Sequence, residues 1–313
     1  MMDCFEQQDV GTLLSAQKNI TFLGTANINN RFAPSIDSNL HQLKPNEKPI
    51  VPNTPYELMR NKLTPDVPMI IGLTESEGIL GFAGLYIVSQ QLMNDLNQNW
   101  LSISPDTFGY RSFVPEDKLT EFGTELRQIY MGDQIFSLDT EDNFVDMNSH
   151  YIMYRGTKLT AELTSQRNKN VYPYVFTHRG AFSVANYLGV YGRAPTHTDD
   201  LQFQFNSISK YKAWPDLFYD TDIEFSQKFV KLWVSFAATG KPTETWGKDW
   251  RPANVTALPL GSELPWYSLN RKPSPFKYPQ EAEDKYVKMD TLYSLYEKPQ
   301  RSWRAVNLQK EEL

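Results

Sequence analysis

The stretch GRAPTHTDDLQFQF, residues 192–205, carries His197, one of four histidines in the chain, just ahead of two adjacent aspartates. An imidazole titrates near neutrality, so it can take a proton and return it within one reaction cycle. A second stretch, TESEG at 74–78, supplies Glu75 and Glu77. A histidine that draws a proton from a hydroxyl needs a carboxylate on its other ring nitrogen, to fix the tautomer and steady the imidazolium. His197 is the candidate base, and on spacing alone Glu75 and Glu77 are equivalent candidates for the acid. Asp199 and Asp200 could join His197 around a metal ion, but no second histidine or acid cluster completes a coordination set, so ion pairing or loop capping is the expected use. His41, His150 and His178 stand in no comparable setting and receive no role. Cys4 is the single cysteine, which excludes an intrachain disulfide, a Cys-x-x-Cys pair or a thiolate cage. No metal and no cofactor are implied.

These loops need elements to hold them. VPMIIGL at 67–73 is apolar throughout and suits a strand buried on both faces of a parallel sheet. VYPYVFT at 171–177 reads as a second buried strand. Helical patterns are expected from Gly78 to Asn99, after Pro115 through Leu119, Phe122, Leu126 and Ile129, and from Val145 to Leu163. A further helix carries Phe225, Phe229, Leu232, Trp233 and Phe236 on one stripe, with Thr221 and Glu224 at capping-box spacing and a stop at Gly240 and Pro242. Lys44–Pro55, with four prolines, reads as a connector. An apolar-polar alternation closes the chain at Tyr286, Val287 and Met289. Strands alternating with long helices point to an α/β fold with a mostly parallel sheet, in which chemistry gathers past the carboxyl ends of the strands. Phe82, Tyr86, Tyr110 and Phe113 could line a substrate pocket, but aromatic residues at helical spacing are more often core.

Composition narrows the class. Thirty-one basic and 37 acidic residues give a net charge of −6 with no Lys/Arg block, so nucleic acid is not an expected partner. The longest apolar runs fall far short of the roughly 18 residues a membrane span needs. The N-terminus lacks the basic, apolar and small-residue order of a secretory signal. Asn19 and Asn254 head Asn-x-Thr triplets, and the final KEEL comes close to a K-D-E-L retrieval signal, although a charged tail is the simpler reading. Composition sets no oligomeric state.

Several stretches together resemble the type-B carboxylesterases and cholinesterases, with an insect-esterase flavour. VPMIIGLTESEG is similar to that family's strand and acid loop, PTHTDDLQFQF to its histidine segment, LWVSFAATGKP and WRP to its helix and the element after it, and LPWYSLN with YVKMD to its closing segment. The resemblance implies an α/β-hydrolase fold, a carboxylic ester as the small-molecule substrate, Glu77 as triad acid and His197 as base. The acid precedes the histidine, as in that fold's order of serine, acid and histidine. Secretion or the endoplasmic reticulum lumen is the compartment that the resemblance and the KEEL terminus favour.

The family's G-x-S-x-G elbow occurs nowhere in these 313 residues, so no nucleophile is assigned. The opening MMDCFEQQDVGTLL resembles the region just after that elbow. By this resemblance residues 1–300 are the carboxyl-terminal part of one esterase domain without its nucleophile half, and 301–313 are a charged tail. A sheet cut there keeps an unpaired edge and an uncovered apolar face, which weigh against stable folding alone. Two expectations follow: part of a serine ester hydrolase, or a catalytically inactive truncated or interaction protein of the same family.

Overall fold

The computed structural model describes residues 6–17, 36–37, 48–79, 89–192, 195–205, 220–242, 246, 250–253 and 263–296. His41, Cys4, Asn19, Asn254, Phe82, Tyr86 and the charged tail lie outside the described residues. Four strands, β1 (Met69–Thr74), β2 (Val171–Phe176), β3 (Tyr267–Leu269) and β4 (Ser274–Pro275), form one sheet in the order β1-β2-β3-β4. The first three are parallel and β4 is antiparallel. Among the described residues the helices of nine residues or more are α1 (Gln90–Thr107), α2 (Leu119–Met131), α3 (Glu141–Ser149), α4 (Arg155–Ser165), α5 (Asp220–Thr239) and α6 (Gln280–Tyr296).

The sequence of β2 explains the layering. Successive side chains of a strand point to opposite faces, and all six residues of β2 are buried. Val171 and Val175 join a core built mainly from α1 to α4 and α6, whereas Tyr172, Tyr174 and Phe176 join a second core under α5. Pro173 is tolerated in this central strand because β3 begins to pair only at Tyr174, and its carbonyl accepts the Trp250 indole N–H at 3.1 Å. The stripe on α5 falls as its spacing predicts: Phe225, Phe229 and Leu232 are buried, and Trp233 and Phe236 pack against the same core. Each fully buried phenylalanine on it contributes about 1.5–3 kcal/mol. Gly240 takes φ +70° and closes the helix with its N–H on the Phe236 carbonyl, 2.7 Å, as a left-handed C′ glycine should.

Four local expectations are corrected. The helix expected from Gly78 starts at Gln90, where the Ser89 hydroxyl accepts the Leu92 N–H, and it continues past Asn99, which breaks helical geometry as a kink, to Thr107. Glu77–Ile79 is a separate 3-10 turn. Thr221 does not cap α5, because the helix already includes Asp220, and the buried carboxylate of Asp222 binds outside the helix instead. Tyr286, Val287 and Met289 lie in α6, with Tyr286 and Met289 buried three residues apart and Val287 exposed. The proline-rich connector ends one residue early: Pro55 opens a helix to Arg60, with the Thr54 hydroxyl accepting the Glu57 N–H. Tyr110 is core, fully buried, and Phe113 packs against it.

Among the described residues β1 pairs only with β2. Its odd-numbered residues face β2, as the Met69 and Glu75 N–H bonds to Asn170 and Phe176 require, so the Ile70 and Gly72 N–H groups point away from β2, to the side where no described strand pairs. No helix among the described residues is long and apolar enough to cross a membrane.

Candidate active site

The two chemistry-bearing loops leave β1 and β2 at their carboxyl ends and meet. Ser76 and Thr196 form an isolated parallel bridge. The Ser76 N–H donates to the Pro195 carbonyl at 3.0 Å, and the Thr196 hydroxyl donates to the Ser76 carbonyl at 2.9 Å. This stitching sets the next residue of each loop face to face, and His197 Nδ1 lies 2.7 Å from Glu77 Oε2. The other carboxylate oxygen of Glu77 accepts the Thr74 N–H at 2.6 Å, which fixes the acid against the last residue of β1. Glu77 is buried, and His197 keeps 34% of its side chain exposed. Among the described residues Nε2 of His197 has no hydrogen-bond partner.

The electrostatics follow from this packing. The Glu77 hydrogen bond and charge, with a smaller push from Asp200, hold the His197 pKa above its ordinary value against the opposing effect of burial. Asp200 itself is pushed up by burial and by the Glu77 charge, and the Tyr174 hydroxyl donates to it at 3.4 Å. Asp199 is a loop clamp. Its carboxylate accepts the Ser183 hydroxyl at 2.6 Å, the Val184 and Thr196 N–H groups at 2.8 Å and the Gln202 amide at 3.3 Å. The described residues contain no cluster of three potential metal ligands.

Glu75, equivalent to Glu77 by spacing, turns the other way and reaches Arg179 at 3.5 Å on the surface. An open cleft of about 700 Å³ lies beside it, lined by Ser76, Asp146, Tyr154, Arg179 and Tyr278 among others, but neither Glu77 nor His197 lines that cleft. The remaining described histidines are buried. His178 Nε2 sits 3.0 Å from Asp222 with its ring stacked 3.8 Å from that of Phe225, and burial pushes its pKa down. His150 Nδ1 meets the Tyr130 hydroxyl at 2.7 Å, and burial lowers its pKa to about 3.

Sequence reasoning missed the residues that join the two loops. Ser76 and Thr196 act through backbone and hydroxyl groups that any loop offers, so their types carried no signal. Gly78 had a visible reason once α3 is placed: a Cβ there would collide with the Val145 carbonyl. Its N–H donates to the Ser149 hydroxyl at 2.9 Å. Only glycine lets the acid loop lie this close to α3.

The chain is 24% identical to venom carboxylesterase-6 of Apis mellifera over 236 residues, covering 74% of this chain and 38% of the relative. It is 27% identical to esterase E4 of Myzus persicae over 206 residues, covering 62% and 35%. It therefore spans well under half the length of these curated relatives. Among solved structures, juvenile hormone esterase from Manduca sexta superposes with TM-score 0.61 at 17% identity over 80% of this chain and 45% of that one. A PNB esterase superposes with TM-score 0.58 at 15% identity over 91% and 50%. The architecture is that of a partial α/β-hydrolase fold. A sequence model described as the carboxylesterase family matches residues 1–287, and the chain belongs to that family.

Proposed function

We propose that this chain carries the acid and base of a serine carboxylic-ester hydrolase, with Glu77 as the orienting acid, His197 as the base, and the nucleophilic serine on polypeptide outside these 313 residues. The observation that carries the reading is the 2.7 Å contact between His197 Nδ1 and buried Glu77, with the ring's second nitrogen unused by any described residue. In this reading Nε2 takes the serine hydroxyl proton as the oxygen attacks the ester carbonyl, then gives it to the departing alcohol. Water enters, gives its proton to the same nitrogen and releases the acid, and the proton returns to the serine. Glu77 accepts the Nδ1–H and steadies the imidazolium. The side of β1 away from β2 supports the reading, since no described strand pairs there and its Ile70 and Gly72 N–H groups are directed to where a further strand would pair.

The alternative is an inactive interaction protein of the same family, favoured by the absence of any Gly-x-Ser-x-Gly sequence here. The deciding experiment is the intact mass of the native protein together with its turnover of p-nitrophenyl acetate. The enzyme reading expects a longer native chain whose kcat falls at least about 10⁴-fold in His197→Ala and about 10⁴-fold in Glu77→Gln. A native chain of this length with no turnover leaves the inactive reading in its place, and turnover indifferent to both substitutions overturns the roles given to Glu77 and His197.

A further inference from the structure

The turn that presents His197 is held in a conformation its sequence resists. Thr196, His197, Thr198 and Asp199 form a β-turn closed by the Asp199 N–H on the Thr196 carbonyl at 2.9 Å, and Thr198, at the third position, has φ +72°. A type II turn places that position near φ of about +80°, where glycine or asparagine normally sits. A β-branched side chain there crowds its own backbone. Lys62 is the other non-glycine residue at positive φ among those described, and it is not β-branched.

The surroundings account for the persistence of this backbone. Asp199, 2% exposed, grips the turn from both ends, donating its N–H to Thr196 and accepting the Thr196 N–H on its carboxylate. The same carboxylate is anchored outside the turn by Ser183 and Val184. The Thr198 carbonyl accepts the Leu201 N–H at 3.1 Å, which ties the far side to the helix that follows. Strain of this kind persists only where its environment over-determines it, and it tends to lie at working sites.

We propose that Thr198 is a positioning residue: its enforced left-handed backbone, clamped by Asp199, aims the His197 imidazole at Glu77. Relaxing Thr198 to negative φ would rotate the turn's central peptide and swing His197 out of line with the acid. The inference deepens the reading of His197 given above and rests on it for its purpose, but its test reads the imidazole's partner rather than turnover. A failed esterase assay would therefore leave it standing.

The test is an NMR pH titration of the His197 ring in the native protein, with its signal assigned by substitution of His197. Glu77 and Asp200 are the charged groups that raise its midpoint. Thr198→Pro forbids positive φ without changing charge, and Thr198 donates no backbone hydrogen bond to any described residue. The expected result is a His197 midpoint that falls toward the ordinary imidazole value near about 6.5, with His178 and His150 unmoved. Thr198→Gly should keep the midpoint raised, because glycine holds the same turn without strain. Asp199→Asn weakens the clamp and should lower the midpoint, and adding Thr198→Gly to it should restore the raised value. An unchanged midpoint in Thr198→Pro overturns the proposal. So does a double variant that stays folded by circular dichroism yet fails to recover the midpoint.

Discussion

Two histidine–carboxylate pairs draw their histidines from the chain that follows β2, and the pKa values of those histidines move in opposite directions. His197 and Glu77 are 2.7 Å apart with a third of the imidazole exposed, and the histidine's pKa is raised chiefly by its hydrogen bond to the acid. His178 and Asp222 are 3.0 Å apart with both side chains almost wholly buried. There burial outweighs the partner, and the pKa falls. A carboxylate neighbour alone thus does not set the direction in which a histidine's pKa moves. What separates the pairs is the access left to the second ring nitrogen, and the apolar rings that surround His178: Phe176, Phe203 and Phe225.

The comparison is most easily broken at its structural side. Asp222→Ala would strand the buried His178 Nε2 and the part-buried Ala181 N–H, and is expected to cost about 3 kcal/mol in urea unfolding. A loss well under that would mean the His178 pair is not structural cement.

Next in size is the pH dependence, which has opposite sign for the two pairs. His197 has a folded pKa above its ordinary value, so its stabilisation is complete below the unfolded value and fades as pH rises through the folded one. His178 has a folded pKa below that value, so its stabilisation is present above the unfolded value and is lost as pH falls through the folded one. The urea midpoint of His197→Ala should therefore lag wild type at about pH 5.5 and converge with it by about pH 9. Parallel pH curves for the two proteins would cancel the distinction.

Glu77→Gln sharpens the contrast further. Removing the charge should lower the His197 titration midpoint while leaving that of His178 in place, measured in one NMR series. The smallest effect is the stability cost of His197→Ala near neutral pH, expected below about 1 kcal/mol for a partly exposed pair. A cost comparable to that of Asp222→Ala would show that the exposed pair is also structural.

The difference between the two pairs explains what was legible beforehand. β1, β2 and α5 were visible as apolar runs and a helical stripe, because burial on one or two faces writes itself into residue type. Glu77 and Glu75 were not separable by spacing, since the choice is made by where Ser76 pairs with Thr196, a backbone contact. His178 gave no signal, because its partner lies 44 residues on and was read as part of a helix start. The start of α1 was misplaced for a similar reason: Gly78 is needed for its close approach to α3, and a hydrophobic pattern cannot express a close approach.

The Ser76–Thr196 bridge carries a kinetic consequence. It joins residues 120 apart, so the loop it closes is long, and contacts of such separation wait until the intervening chain has ordered. His178 and Asp222 close a shorter loop inside an aromatic cluster. During refolding the tryptophan signals of that cluster should return before the raised titration of His197, so the candidate site is a late product of folding and its imidazole a marker of a finished chain.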